Sequence, residues 1–226
     1  YTFALNELSN YLGLKEINKI EGYDVSHISG DNAVASCVVF SNVGAVKSDY
    51  RLFNVPKDIS GNDIGSLEHV LRRRLKYYDN PNTKPDLILI DGGKTQLKFV
   101  SNVISKSKYK NLKVISIVKG SNRVRATETI ISKSGVVQLD KQSKAFLLLQ
   151  EIRDESHRFA IRAQRNKKRR TITKSELDNV KGLGSILKMR LIKEFKNIKN
   201  IKSAKLSDLM TVKGISEKIA RNILNM

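Results

Sequence analysis

The chain of 226 residues has one cysteine, Cys37, and no long apolar run. A single cysteine excludes an intrachain disulfide and a cysteine-based zinc site. No apolar run approaches the roughly 18 residues that a membrane helix needs, and no signal peptide is visible, so we expect a cytoplasmic protein. The sequence begins with Tyr1 rather than methionine. We therefore expect a fragment of a longer protein, monomeric in isolation.

Acidic residues are also scarce. The chain has 42 Lys and Arg against 22 Asp and Glu, a formal net charge of +20 and a pI near 10.0. Such a surface gains from counterion release on a polyanion, which indicates nucleic acid or an anionic membrane as partner. Residues 166–226 alone hold 16 Lys and Arg but 5 Asp and Glu. The 40% hydrophobic share suffices for a real core, so we do not expect global disorder.

Two aspartates stand at the ends of apolar runs, Asp24 in EGYDVSH and Asp91 in LILIDGGKTQL. Residues 87–90 indicate a strand that is buried on both faces. An ionised carboxylate at its tip is costly unless a cation or a hydrogen-bond network holds it. With His157 in RDESHRFAI, the two acids suggest a site for a hard divalent cation, Mg²⁺ or Mn²⁺. Taken singly, Asp24 also fits a solvated strand end, and Asp91 fits a turn with the two glycines that follow it.

The order of apolar, turn-forming and periodic segments predicts an α/β domain. It indicates three antiparallel strands, a helix with Ser60 or Asn62 as cap, a parallel strand–helix–strand unit, short β runs and a long helix. The three antiparallel strands are expected at about 20–27, 33–40 and 46–55, and the helix is expected to begin at 63. The parallel unit would consist of a strand at 87–91, a helix at 94–107 and a strand at 113–118. The β runs would lie within 123–138, and the long helix would run from 142 to about 165.

Two similar passages, LDNVKGLGSILKMRLIKEF and LMTVKGISEKIARNIL, end the chain. Aligning Val180-Lys181-Gly182 on Val212-Lys213-Gly214 superposes their apolar positions, so we expect two helical hairpins with a shared core. Glycine permits a tight turn, and the N–H groups at the following helix start suit a phosphate. Alternatively, the glycines only end helices.

The repeat resembles the helix-hairpin-helix family, which binds the DNA backbone without reading sequence. The resemblance implies DNA contacts at Lys181, Gly182 and Gly184 in the first hairpin. In the second hairpin it implies contacts at Lys213, Gly214 and Ser216, the last of which stands where the family often has a second glycine.

The motifs IEGYDVSHISG, VASCVVF, YRLFNV, HVLRRR, LILIDGGKTQL and RDESHRFAI follow one another as in the C-terminal half of the UvrC family, the nuclease subunit of bacterial nucleotide excision repair. The resemblance covers essentially the whole chain. It implies a ribonuclease H-like mixed sheet with flanking helices over 1–162, a basic linker over 163–175 and an all-α tandem helix-hairpin-helix domain over 176–226. The implied activity is a metal-dependent endonuclease that makes the incision 5′ to a bulky lesion in double-stranded DNA.

The family's catalytic positions fall on Asp24, Asp91 and His157, all three as metal ligands, with Asp63 in GNDIGSL as a fourth acid. Asp63 also fits an acid that is favoured by the dipole in a helix's first turn. UvrB, and UvrA indirectly, would be partners of the full-length protein, and no membrane is implied. Nothing resembles a GIY-YIG signature or the UvrB-recruiting segment, so we expect these 226 residues to lack 3′ incision and the main UvrB contact.

Three more basic residues are candidates for DNA contact. Lys94, just after IDGG, is expected to reach the scissile phosphate or simply to begin a helix. Arg72, Arg73 and Arg74 cannot all face one way on a helix, so we expect one or two of them, Arg72 and Arg73, to touch DNA.

Two other functions fit the same residues. One is a ribonuclease or junction resolvase on the same fold. The other is a non-catalytic DNA-binding module whose acids only cap strands.

Overall fold

The computed structural model describes residues 1–26, 34–59, 61–119 and 128–225. The chain forms two compact units, Tyr1–Gln164 and Arg165–Met226. Within the described segments, no helix is both long enough and apolar enough to span a bilayer.

An eight-stranded mixed sheet forms the centre of the first unit. Its strands are β1 (Lys19–Ser26), β2 (Val34–Ser41), β3 (Gly44–Ala45), β4 (Arg51–Asn54), β5 (Leu87–Asp91), β6 (Lys113–Lys119), β7 (Glu128–Ser132) and β8 (Gly135–Val137). The order is β3-β2-β1-β5-β6-β7-β8, and β4 pairs with β2 outside this path. Strand β5 runs parallel to both β1 and β6, and the other pairs are antiparallel. The α/β sheet that the sequence predicts is confirmed.

The third predicted strand, 46–55, is wrong in its middle. A 3-10 turn at Lys47–Asp49 separates β3 from β4. The N–H of Asp49 donates to the carbonyl of Val46, and that of Tyr50 to Lys47, which closes the turn. These hydrogen bonds interrupt a segment whose composition alone favours a strand. Of the β runs expected over 123–138, β7 and β8 are present, and residues 123–127 lie outside the described segments.

Four helices belong to the sheet or extend from it: α1 (Thr2–Leu12), α2 (Asp63–Leu75), α3 (Lys94–Ser105) and α4 (Lys144–Asp178). The side-chain oxygen of Asn62 accepts hydrogen bonds from the N–H groups of Ile64 and Gly65, so Asn62 caps α2. The alternative cap, Ser60, lies outside the described residues. Helix α3 starts directly after Gly93.

Helix α4 is longer than the sequence predicts. It was expected to end near Arg165, but it continues to Asp178 and includes the basic stretch 163–175. That stretch lacks an apolar periodicity, which is why it indicated a linker, yet it has no glycine or proline and is rich in Lys and Arg. These residues favour a helical backbone. The division into domains at 162 and 175 stays a prediction.

A buried polar network connects β1 with the end of α2. Glu21 is fully buried and accepts hydrogen bonds from Arg74 Nε at 2.9 Å and from Nη2 of the same side chain. Its second oxygen accepts from the hydroxyls of Tyr23 and Tyr78. Because each carboxylate oxygen has partners, the buried charge is compensated. The network fixes the position of α2 on the opposite face of β1 from Asp24.

The second unit is a pair of helical hairpins. Its helices after α4 are α5 (Ser185–Phe195), α6 (Ile198–Lys202), α7 (Leu206–Met210) and α8 (Glu217–Leu224). They enclose one apolar core, formed by Leu177, Val180, Leu183, Leu191, Ile201, Leu209, Val212, Ile215, Ala220 and Ile223. Both turn glycines have positive φ, 88° at Gly182 and 97° at Gly214. The all-α tandem hairpin fold predicted from the repeat is confirmed.

The two hairpins contact each other through equivalent residues. Arg190 donates to the carbonyl of Lys213, and Asn222, 32 positions further along, donates to the carbonyl of Lys181 at 2.9 Å. Each hairpin's second helix therefore holds the turn of the other hairpin, which explains why neither repeat needs to be stable alone.

Candidate metal centre

The two aspartates are brought together by the pairing of β1 with β5. The strands are parallel, and Tyr23 lies opposite Ile90. Asp24 and Asp91 each follow these paired residues, so both lie at the carboxyl ends of adjacent strands. Asp24 is 7% exposed, whereas Asp91 is half-buried.

Helix α4 carries the histidine to the same place. The helix crosses the face of β1 that holds Gly22, where a Cβ would lie 2.4 Å from Cγ2 of Ile152. The absent side chain permits this close approach, and His157 follows Ile152 by little more than one turn. Its Nδ1 lies 3.2 Å from Oδ2 of Asp24.

Asp24, Asp91 and His157 each offer one ligand atom, and these atoms all lie within 4.8 Å of one another. The side chain of Asp24 is 9% exposed and that of His157 is 57% exposed. The cluster is therefore fixed on the sheet side and open on the helix side, where a polymer could approach it.

A serine that the sequence reasoning missed connects two of these elements. Ser36 lies opposite Asp24 in the β1–β2 ladder. Its buried Oγ donates a 2.9 Å hydrogen bond to the carbonyl of Ser156, the residue before His157. The only signal in the sequence is a polar residue within the apolar run VASCVVF.

Asp63 is not a member of the three-ligand cluster that the described residues form. It lies in the first turn of α2, and its Oδ2 accepts a 3.4 Å hydrogen bond from Gln96 Nε2. The side-chain oxygen of Gln96 accepts from the N–H of Gly93, in the loop after Asp91. Gln96 thus joins Asp63 to that loop. The sequence reasoning missed Gln96, although a glutamine three residues after a helix's first cap position is a known capping signal.

The loop after Asp91 has a second anchor. Ser116 Oγ in β6 donates to the carbonyl of Ile90 at 3.0 Å and also contacts the carbonyl of Gly92. Strand β6 is therefore tied to the backbone on both sides of Asp91, which holds the Asp91 carboxylate in place.

Comparison with known proteins agrees with this geometry. Residues 9–161 match the model of the UvrC RNAse H endonuclease domain, and residues 174–225 match the SAM-like helix-hairpin-helix tandem. The chain belongs to the UvrC RNase H endonuclease domain family.

Individual relatives and structures show the extent of the likeness. The chain is 40% identical to "UvrABC system protein C" of Saccharophagus degradans over 225 residues, which is 97% of this chain and 36% of that protein. It is 35% identical to the protein of the same name from Methylococcus capsulatus over 226 residues, 98% and 37% of the two chains. The chain thus spans about a third of the length of these relatives. A solved structure of Ciona intestinalis endonuclease V with an inosine-containing DNA is a distant neighbour, with a TM-score of 0.35, 18% identity and coverage of 52% and 56%.

The basic candidates of this UvrC-family chain lie in different surroundings. Lys94 is exposed at the first position of α3. Arg72 pairs with Glu68 at 2.7 Å, and Arg73 stacks over the ring of Phe53 at 5.5 Å. Arg74 is buried in the Glu21 network. DNA contact by Lys94, Arg72 and Arg73 stays a prediction.

The hairpin turns place their candidates on the surface. Lys181 and Lys213 are exposed next to the turn glycines. Gly184 is the N-cap residue of α5, and Ser216 is that of α8. The Ser216 hydroxyl accepts from the N–H of Ile219, so this serine caps its own helix. Phosphate contact at these positions stays a prediction.

Proposed function

We propose that the chain is the divalent-metal-dependent nuclease part of a nucleotide excision repair endonuclease, and that it cuts DNA 5′ to a lesion. The observation that carries this proposal is the convergence of Asp24, Asp91 and His157 within 4.8 Å in a member of an endonuclease domain family. The name shared by the relatives, UvrABC system protein C, supports the repair pathway. The side of the incision comes from the resemblance of the motifs.

The donor set fits Mg²⁺ or Mn²⁺. Both ions prefer carboxylate oxygens, and Mg²⁺ commonly keeps several waters, so three protein ligands leave room for a substrate oxygen. Such an ion, when bound, would polarise the phosphodiester and lower the pKa of a coordinated water. Asp24 and Asp91 would hold it, and His157 would complete the site.

The protein's own groups orient the chemistry. Asp24 is held between β1, β2 and α4, so its carboxylate has a fixed direction. When Nδ1 of His157 carries the ring proton, it donates to Asp24, and Nε2 is then the basic nitrogen. The lone pair of Nε2 would then be the one that binds the cation as the third protein ligand. The Asp24–His157 pair thus determines which ring nitrogen completes the site.

The second unit would grip the duplex through its two turns. Phosphate contacts of this kind do not depend on base sequence, which suits an enzyme that must act wherever a lesion lies. Lesion-bearing double-stranded DNA is the proposed substrate. UvrB, and UvrA through it, are the proposed partners of the full-length protein in the cytoplasm.

The test uses a labelled lesion-bearing duplex with Mn²⁺ and excess protein. We expect Asp24→Asn and Asp91→Asn to lower the nicking rate at least about 100-fold, as losses of charge-stabilising groups do, while DNA affinity stays near that of the parent chain. Asp140→Asn, which alters an exposed acid of the same unit, is the matched control. Mn²⁺ binding followed by electron paramagnetic resonance should fall in the two site variants only.

Two outcomes would contradict the proposal. Nicking retained by both site variants would refute the assignment of the centre. Preferential cleavage of an RNA–DNA hybrid of the same sequence would favour a ribonuclease on the same fold.

A further inference from the structure

Two depressions beside α3 form one continuous groove on the first unit. The first, about 480 Å³, lies between α3 and the β7–β8 hairpin, and the second, about 390 Å³, lies between α3 and the start of β6. Ser101 and Lys133 line both depressions. We call the combined feature the lysine groove, after the five lysines that line it: Lys94, Lys98, Lys110, Lys113 and Lys133.

The groove begins next to the metal centre. Lys94 is the first residue of α3 and follows Asp91 by three positions. Lys98, Ser101 and Asn102 continue along the same face of the helix, since residues spaced by three, four or seven positions lie in line. A helix of 12 residues is about 18 Å long. The groove therefore leads away from the candidate centre along one side of the unit.

The charge of the groove has a single sign. Among the described residues, no Asp or Glu lines either depression, and no carboxylate pairs with any of the five lysines. The floor includes Leu97, Ile104 and Ile131, and such apolar surface accommodates lysine stems while the ammonium groups stay in water. Five like charges beside one helix repel one another, so an anionic occupant would be favoured there.

The lining also indicates which anion fits. Tyr, Trp and Arg anchors dominate protein–protein interfaces, but the described lining residues include none of them. A DNA strand carries one phosphate for each 3.4 Å of helix axis, so about 18 Å of groove faces about five phosphates. Five ammonium groups beside an apolar floor suit this backbone better than a folded acidic protein.

We propose that the lysine groove binds the phosphate backbone of the DNA strand that leaves the candidate metal centre. The proposal rests on the proposed function, because it takes DNA to be the substrate of that centre. These contacts would also set the position of the DNA strand along the site. A strand held along α3 fixes which phosphodiester lies against Asp24 and Asp91.

The test measures duplex binding by fluorescence anisotropy at several salt concentrations. Each lost phosphate contact lowers the slope of log affinity against log salt by about 0.9, so Lys98→Ala/Lys133→Ala should reduce it by about 2. Lys76→Ala/Lys141→Ala removes the same charge at two exposed lysines outside the groove and should leave the slope unchanged. Lys110→Ala/Lys113→Ala, at the far end, should reduce it by a similar amount.

The outcomes separate the two proposals. Equal slopes of log affinity against log salt for the groove variants and the control pair would overturn the proposal that the groove binds DNA. This includes the case in which the groove binds an acidic protein instead. If Asp24-dependent nicking persisted in that case, the proposed function would stand. If the parent chain did not bind DNA at all, both the groove proposal and the proposed function would be wrong. The melting temperature of Lys98→Ala/Lys133→Ala should match that of the parent, because both substituted side chains are exposed.

Discussion

The hydroxyl of Ser36 donates to the backbone carbonyl of Ser156 over 2.9 Å, and both side chains are buried. Ser36 is the cross-strand neighbour of Asp24, and Ser156 is the chain neighbour of His157. One hydrogen bond therefore links the supports of two candidate ligands. Its function would be to keep α4 in register with β1.

We predict that Ser36→Ala weakens metal binding at the candidate centre and lowers the stability of the fold only slightly. Loss of one buried hydrogen bond costs about 1 kcal/mol, and the freed α4 would place His157 less well. The Mn²⁺ concentration for half-maximal nicking should rise, whereas duplex affinity should not change. Ser9→Ala removes a comparable buried hydroxyl contact in α1 and should leave the Mn²⁺ requirement unchanged. An identical Mn²⁺ requirement in both variants would show that Ser36 is only structural.

Gly22→Ala should push α4 away from the sheet. The new Cβ would lie 2.4 Å from Ile152 Cγ2, and such overpacking costs about 1–3 kcal/mol. Urea denaturation should show this loss of stability, and a nicking assay should show a lower rate. Gly61→Ala, whose Cβ meets nothing within 4 Å, is the control. In Gly22→Ala/Ile152→Ala the clash is removed, so the double variant should lose less stability than the sum of the single losses.

We predict that the free energy of unfolding falls above about pH 9. Burial raises the pKa of Cys37, Tyr23 and Tyr78 well above their ordinary values of 9.0 and 10.0. The unfolded chain releases these protons at the ordinary values, while the folded chain retains them. The contribution of these groups to the free energy of unfolding is therefore fully present below pH 9. It is lost as the pH rises, by about 1.4 kcal/mol per pH unit for each proton.

Cys37→Ala separates the thiol's share of this alkaline loss. The variant should show a shallower fall between pH 9 and 10, measured by urea denaturation at each pH. In the parent, a thiol reagent should modify Cys37 at the rate of global unfolding, because the reactive thiolate is absent from the folded state. Rapid modification of the folded protein would contradict the burial of this thiol.

The two hairpin glycines should differ in their tolerance of a side chain. Both have positive φ, where alanine costs about 1–2 kcal/mol. At Gly214 a Cβ would also lie 2.8 Å from Leu187 Cδ2, whereas at Gly182 the nearest atom is 3.5 Å away. Gly214→Ala should therefore lower the melting temperature more. Gly184→Ala, with φ of −72° and open space around its Cβ, should leave the melting temperature unchanged and alter only DNA affinity.

Much of the sheet could be predicted because its strands carry their own signal. Strand β5 matches the predicted 87–91, since a short continuous apolar run bounded by Pro85 and two glycines favours a buried strand. Helix α2 begins at the predicted Asp63 for a similar reason, a cap followed by apolar residues at helical spacing. The turn within 46–55 and the continuation of α4 depend on hydrogen bonds and helix propensity that apolar periodicity does not reveal.

The centre could be predicted in part. Asp24 and Asp91 mark the ends of strands, and parallel neighbours end at the same edge of a sheet, so their proximity follows from the pattern. The roles of Ser36, Gln96 and the Glu21 network could not be predicted, because the sequence does not show which group a polar side chain will contact. Only the packing of α4 across Gly22 and the β1–β2 ladder shows what these groups hold in place.

Asp24 and His157 are separated by 133 positions in the chain, and Asp91 lies between them. A ribosome-bound intermediate that has emerged only as far as β5 would have both carboxylates but not the imidazole. Hydrolytic competence would then arrive last, after α4 docks on the finished sheet. Under the proposed function, an incompletely synthesised or unfolded copy would therefore not cleave DNA.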